Sequence, residues 1–255
     1  MVVRGKVWGK HAAWLTAAAV MAVWQAVSTV VPSYLVPGLP AIGKQLLHIA
    51  VNAKELVDAL STFGRIFGGL VPSFAVGSVL GIAMGLSDPM RRYITPFITF
   101  VQGIPALSWV VIAIIWFKQV EVRVLFILVM SSMPNFAFQV LDSVRAIPKD
   151  LWEMVNAMRP RRGQLLTKLV FPAVVPGMLT GWKINLGNAT RVVIVAEMVG
   201  ATTGVGFQLS NAQQLFNMPG AIAWTLTLVV FVLITKAVIE TIETGLLRWR
   251  PRLER

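Results

Sequence analysis

Three charged side chains, Lys183, Arg191 and Glu197, interrupt the long apolar segment formed by residues 170–201. A charge inside a membrane costs roughly 2.5–3.5 kcal/mol on insertion scales, so such groups usually face other helices or a water-filled path. Asn188 precedes Arg191 by three residues and therefore shares its helix face. These two residues predict a path through the membrane that favours a negatively charged solute.

A structural ion pair is the alternative for Arg191. Glu197 follows it by six residues, so the two side chains lie on different faces of a regular helix. A pair between them within one helix is therefore disfavoured. A pair with another helix, or across a dimer, stays open.

Three polar side chains, those of Gln102, Asn135 and Gln139, lie near the helix-breaking residues Pro105 and Pro134. They could hydrate a path, although such side chains more often satisfy backbone carbonyls that a proline leaves free. The candidate path residues are therefore Gln102, Asn135, Lys183, Asn188, Arg191 and Glu197.

A second group of functional candidates lies in residues 142–172, between apolar segments. Pro148 can open a helix at its first turn. A stripe of apolar side chains follows at three- and four-residue spacing: Leu151, Met154, Val155 and Met158. An amphipathic helix outside the membrane must cover this stripe, either on its own bundle or in the lipid interface, or in a groove of a partner protein.

Composition excludes several functional classes. Of the 255 residues, 56% are hydrophobic and 13% are charged, which is about half the charged fraction of a soluble protein. There is no cysteine and only two histidines, so we expect no metal site and no histidine base. The net charge of +12 is dispersed among apolar segments, which argues against nucleic-acid binding and for contacts with membrane lipid.

The apolar pattern predicts an all-α membrane protein with six transmembrane helices. The predicted spans cover residues 12–31, 65–86, 93–117, 122–140, 170–201 and 219–247. Gly103 and Pro105 interrupt the third span, and Pro134 should break the fourth. Glycines at positions 68, 69, 77, 81 and 85 of the second span should let another helix approach closely.

The basic residues predict an orientation with both termini inside, N-in/C-in. With that orientation, five basic residues lie outside: Lys44, Lys54, Arg65, Lys118 and Arg123. Fifteen lie inside: Arg4, Lys6, Lys10, Arg91, Arg92, Arg145, Lys149, Arg159, Arg161, Arg162, Lys168, Arg248, Arg250, Arg252 and Arg255. Residues 142–172 therefore face the cytoplasm, where a soluble partner is available.

Residues 142–172 also resemble the cytoplasmic EAA loop of ABC-importer permeases, whose pattern is Glu-Ala-Ala, three residues, Gly, nine residues, Ile-x-Leu-Pro. Glu153, Leu169, Phe171 and Pro172 occupy four of its positions. Met154 and Val155 replace the two alanines, and Arg159 stands where the glycine belongs. With Pro160 beside it, the turn of the loop is predicted to be made by proline.

Two flanking stretches resemble the nitrate/sulfonate/taurine-type permeases of the same family. The first is GIPALSWVVIAIIWF at residues 103–117, and the second is PGMLTGWKINLGNATRVVIVAEMVGATTGVGFQL at residues 176–209. Lys183 and Glu197 match family positions, whereas relatives usually carry an apolar residue where this chain has Arg191. The resemblance extends over about residues 63–248.

This resemblance implies the MetI-like fold of a type I ABC importer permease in the cell inner membrane. It implies a homodimer, two cytosolic ATPase subunits that use ATP and Mg, and a periplasmic or lipoprotein solute-binding protein. The permease itself binds no cofactor, and its sequence has no phosphate-binding loop for ATP. By this resemblance, the residues expected to contact the ATPase are Leu151, Glu153, Met154, Val155, Met158, Arg159, Gly163 and Pro172.

The implied organisation has three parts. Residues 1–62 form an N-terminal cytoplasmic tail, the first span and an external loop, residues 63–248 form the permease core, and residues 249–255 form a basic cytoplasmic tail. The solute is either a small anion, such as a sulfonate, or a neutral or cationic compound such as a vitamin precursor. A secondary transporter would show an inverted repeat, and an intramembrane enzyme would show a catalytic set; the sequence shows neither.

Overall fold

The structure is a computed structural model that describes residues 5–246 of the chain. Side chains are described from Trp14 onward, except that of Arg162. The predicted basic tail at residues 249–255 and the basic residue Arg4 lie outside the described residues.

Within residues 5–246 the chain forms eleven α-helices and one π-helical turn. The first six helices are α1 (Gly5–Val30), α2 (Leu39–Val51), α3 (Ala53–Leu86), α4 (Asp88–Gly103), α5 (Ala106–Trp116) and α6 (Val120–Arg145). The remainder are α7 (Lys149–Ala157), α8 (Arg162–Leu165), the π-turn (Leu166–Val170), α9 (Phe171–Gly200), α10 (Val205–Gln214) and α11 (Met218–Leu246). Since α7 precedes α9 and α10 follows it, they mark opposite ends of the bundle, called here the α7 end and the α10 end.

Four helical segments of the described chain are long and apolar enough to cross a membrane: Ala53–Leu86, Val120–Arg145, Gly163–Gly200 and Met218–Leu246. Helices α4 and α5 together make a fifth, bent by 88° at their junction. The described apolar part of α1, Trp14–Val30, is shorter. The structure is thus a multi-pass helical membrane protein, and the sixth span stays a prediction.

The two predicted proline interruptions have different outcomes. The interruption of the third span is confirmed, because Ile104 and Pro105 take extended backbone conformations between α4 and α5. A residue before proline is disfavoured in the helical region, which explains the bend at Ile104. The predicted break at Pro134 is wrong: α6 continues through this buried residue, as the packing of neighbouring helices allows in membrane proteins.

Glycines on α3 allow α6 to pack closely against it. A methyl group built on Gly77 would lie 2.7 Å from the Phe136 Cβ, and one on Gly81 would lie 2.7 Å from the Val140 Cβ. Phe136 and Val140 are fully buried on α6. Gly68, by contrast, has open space where a methyl group would be. The predicted close approach to α6 is therefore made by Gly69, Gly77, Gly81 and Gly85 but not by Gly68.

Because Gly81 contacts α6 and Gly68 does not, alanine substitutions at these two positions form a test and its control. Gly81→Ala should destabilise the protein by about 1–3 kcal/mol, because the added methyl group overpacks the contact with α6. Gly68→Ala adds the same methyl group to the same helix without a clash, so it should leave the thermal midpoint in detergent unchanged or slightly raised. Equal midpoints for the two variants would contradict the packing described here.

Candidate functional site

The three charged residues of α9 have different surroundings. The Lys183 Nζ lies 2.5 Å from the Glu243 Oε2 on α11. Arg65 on α3 forms an ion pair with Glu197, with 2.7 Å between Nη1 and Oε1. Arg191 has no ion pair and no hydrogen bond to another described side chain or carbonyl. Only Arg191 is therefore left to find its partner in water, in a solute or in another chain.

Glu197 is the most enclosed of these groups, with 0% of its surface exposed. Its carboxylate also accepts hydrogen bonds from the Thr62 hydroxyl at 2.9 Å and from the Gly206 backbone N–H at 2.8 Å. The structure thus gives Glu197 a buried ion pair with another helix and separates it from Arg191. A carboxylate held by donors on three sides stabilises packing at this end of α9.

Arg65 lies at the centre of the contacts at the α10 end. Besides Glu197, it donates to Glu121 at the start of α6 and to the backbone carbonyl of Thr203. Arg65 is only 9% exposed, so it is a buried structural cation; its predicted position on the external side stays a prediction. The missed signal was that a carboxylate within a predicted span, Glu197, requires a cation elsewhere in the chain.

The same contacts fix residues 200–206 and the start of α10. The backbone N–H of Gly204 donates to Asp58, and that of Val205 donates to the Thr62 hydroxyl. Together with the bond from Gly206 to Glu197, they satisfy amides that a helix start leaves without intrahelical partners. Gly204 has a φ of 109°, where only glycine is unstrained. We name this set of contacts the outer clamp.

Four of the six candidate path residues line one cavity of about 330 Å³ beside the bend between α4 and α5: Gln102, Asn135, Asn188 and Arg191. Asn188 and Arg191 are exposed on the protomer surface, and α4 and α6 supply the other two. Lys183 and Glu197 do not line this cavity. The structure therefore brings the residues of three separate predicted spans to one place.

A line of amide side chains holds the cavity wall in position. The Gln102 Nε2 donates to the Asn135 Oδ1 at 3.0 Å, and the Asn135 Nδ2 donates to the Asn185 Oδ1 at 3.3 Å. Asn135 also donates to the carbonyl of Ser131, whereas Pro134 frees the carbonyl of Met130, so Asn135 does not replace the bond lost at the proline. Sequence reasoning missed Asn185, although it is a polar residue of the same predicted span as Asn188; the structure shows it only 1% exposed.

The chemistry of this cavity suits an oxyanion. A guanidinium offers five N–H donors in a planar fork and is always charged, and the amides add neutral donors. None of the described residues that line the cavity is acidic. A cation would meet repulsion from Arg191 there without a carboxylate to offset it.

The second candidate region, α7, is an exposed amphipathic helix. Trp152 packs against a buried cluster that includes Val140, Val144 and Val170, and so anchors α7 to the bundle. The predicted stripe faces away: Leu151, Met154 and Met158 are 41%, 53% and 75% exposed, and Val155 is half-buried. Trp152 therefore holds α7 against the bundle. Most of the apolar stripe is not covered by any other part of the described chain.

The turn after α7 differs from the prediction that proline makes it. Arg159 itself takes a left-handed backbone conformation with a φ of 47°, and Pro160 follows it. This conformation is uncommon for residues other than glycine. Glu153 and Gly163 are exposed, Leu169 is buried, and Pro172 lies in the first turn of α9. Arg159, which stands where the EAA pattern has glycine, thus takes a conformation that glycine adopts most readily.

Comparison with known proteins extends these observations. The model of the family described as "Binding-protein-dependent transport system inner membrane component" matches residues 57–248. The chain is 24% identical over 251 residues to an aliphatic sulfonates transport permease protein, SsuC, of Bacillus subtilis, covering 94% of this chain and 88% of the relative. It is 25% identical over 248 residues to the taurine transport system permease protein TauC of Escherichia coli, covering 94% and 90%.

A solved structure supports the same fold. A chain of the MetNI methionine ABC transporter, in an inward-facing conformation, superposes with a TM-score of 0.63 at 20% sequence identity, covering 75% of this chain and 95% of that chain. The predicted MetI-like helical fold is thereby confirmed. Since the family model covers three quarters of the sequence, the chain belongs to the family of binding-protein-dependent transport system inner membrane components.

Proposed function

We propose that this chain is the membrane-spanning permease subunit of an ATP-driven ABC importer and that its path carries a small oxyanion, with a sulfonate as the leading candidate. The observation that carries this proposal is the unpaired Arg191 in the cavity with Gln102, Asn135 and Asn188. The names of the two relatives add support, because aliphatic sulfonates and taurine share the sulfonate group.

An unpaired charge in a membrane helix needs a compensating gain, since insertion costs roughly 2.5–3.5 kcal/mol. The same helix solves this problem for Lys183 and Glu197 by intramolecular ion pairs. Arg191 has no such partner within the part of the chain that the structure describes, and it lines a cavity instead. Water in the empty cavity, and an anion during transport, would offset the cost of burying the Arg191 charge. A neutral or cationic solute would not offset it.

The path is completed by a second copy of the chain. The face of α9 that carries Thr180, Ile184, Asn188 and Arg191 is exposed in the single protomer. A homodimer that places two such faces opposite each other encloses both cavities and keeps the charges away from lipid. Six spans with both termini in the cytoplasm, as the basic residues favour, put α7 on the cytoplasmic side.

Coupling to ATP requires a contact, because the sequence contains no phosphate-binding loop. The exposed stripe of α7 is suited to a groove on a cytosolic ATPase subunit, in the manner of helix-in-groove recognition. ATP and Mg then bind to that partner, and this subunit holds neither. Two ATPases act on the dimer, and a solute-binding protein delivers the solute at the α10 end.

Removing the charge of Arg191 tests the path. Arg191→Gln should lower uptake of the solute bound by the cognate binding protein at least about tenfold, since losing one charge interaction of about 1.4 kcal/mol has that effect. Arg191→Lys keeps the charge and should retain most of the uptake. Uptake is measured in proteoliposomes that contain the complete transporter. Unchanged uptake by well-assembled Arg191→Gln would contradict the anion path and favour a neutral solute.

Adding a charge to α7 tests the coupling contact. Met154→Asp should abolish co-purification of the ATPase or reduce ATP-driven uptake at least about tenfold, because the carboxylate would be buried in an apolar groove. Asn156→Asp adds the same charge to an exposed residue off the stripe and should have little effect. If Met154→Asp retained uptake and solute-stimulated ATPase activity, the proposed contact would be wrong.

A further inference from the structure

A second cavity, of about 510 Å³, lies at the α7 end on the same faces of α6 and α9. On α9, Gly177 and Thr180 continue the three- and four-residue spacing that leads through Ile184 to Asn188 and Arg191. On α6, Ser143 follows Asn135 by two steps of four. The two cavities therefore follow one another along one polar face. We name the cavity at Arg191 the entry cavity, and the cavity at Ser143, Thr180 and Glu243 the exit cavity.

The exit cavity offers little to bind an anion. The hydroxyls of Ser143 and Thr180 donate to carbonyls of their own helices, those of Gln139 and Pro176, and so present only acceptor lone pairs to the cavity. Pro148 and Pro176, which also line it, have no backbone N–H. Glu243 places a carboxylate on the wall. This chemistry is the opposite of that at Arg191.

The ammonium group of Lys183 lies beside this wall, but it is paired with Glu243. Lys183 follows Thr180 by three residues on α9, and its ammonium lies 2.5 Å from Glu243. Both side chains are about three-quarters buried, with 26% and 27% of their surfaces exposed. At such burial a charge pair is screened less than in bulk water, so the carboxylate largely cancels the field of the ammonium.

We propose that Glu243 prevents retention of the transported anion in the exit cavity by neutralising Lys183. This inference rests on the proposed anion path. Arg191 makes the entry cavity attractive to an oxyanion, whereas the polar side chains that line the exit cavity, with Lys183 paired to Glu243, offer only acceptors. The anion therefore meets decreasing affinity as it moves toward the α7 end, which favours its release. Glu243 acts as a positioning residue, because its effect is exerted through Lys183.

A gain of anion binding tests this role, because loss of folding cannot produce it. Sulfate is the probe, and binding of radiolabelled sulfate to the purified permease–ATPase complex is measured by equilibrium dialysis. Every variant carries Arg191→Gln, so that the entry cavity does not contribute. In this background, Glu243→Gln should bind sulfate at least about tenfold more tightly than its parent, equivalent to about 1.4 kcal/mol.

The double variant supplies the control. Lys183→Met combined with Glu243→Gln removes the freed cation, so sulfate affinity should return to that of the parent. If Glu243→Gln bound sulfate no more tightly than the parent, or if the double variant bound it as tightly as Glu243→Gln, the role assigned to Glu243 would be overturned. Anion uptake by the unmodified transporter is a separate measurement: its absence contradicts the proposed function, whereas the sulfate comparison decides on Glu243 alone.

Discussion

A charge in the apolar interior of a membrane protein needs a partner or water, and this constraint organises α9. Lys183 and Glu197 have partners on α11 and α3, and both pairs join α9 to other helices. Arg191 has no ion pair among the described residues and lines a cavity with three amide side chains. The two ion pairs thus fix the helix, and the third charged side chain remains available in the cavity.

The outer clamp shows how much structure one buried carboxylate can hold. Glu197 joins α9 to α3 through Arg65 and Thr62, and it also binds the backbone of Gly206. Arg65 extends the same network to Glu121 on α6. Three helices and the start of α10 are therefore fixed at one end, while α7 at the other end is held mainly through Trp152 and exposes an apolar stripe. This asymmetry suits a subunit that responds to movements of a partner at its α7 end.

Local pattern predicted the elements better than it predicted their contacts. The apolar runs predicted the four long apolar helices and the bent pair of α4 and α5, whereas the first predicted span is not confirmed. The bend at Ile104-Pro105 was expected because proline restricts the residue before it. The stripe on α7 followed from helical periodicity. The predicted break at Pro134 was wrong because the free-energy cost of a proline within a helix depends on the packing around it. Only the structure shows that Pro134 is buried on α6.

Partners distant in sequence could not be predicted from spacing. Arg65 and Glu197 are 132 residues apart, and Arg65 stood at the start of an apolar run, where a basic residue normally marks the membrane surface. Asn185 is also a polar residue in an apolar span, but only the fold shows that it completes the line of amides from Gln102. By contrast, Gln102, Asn135, Asn188 and Arg191 were each identified as polar groups in apolar spans, and the fold brings all four to one cavity.

Water access to the Arg191 face of α9 is the most direct test of this interpretation. The chain has no cysteine, so Asn188→Cys introduces a single thiol one turn from Arg191, and Leu233→Cys introduces one among the exposed apolar side chains of α11. Thiol alkylation requires the thiolate, which forms only where water can reach it. In the assembled transporter, a charged thiol reagent should label Asn188→Cys readily and Leu233→Cys hardly at all. Equal, slow labelling at both positions would show that the α9 face is dry and would contradict the path.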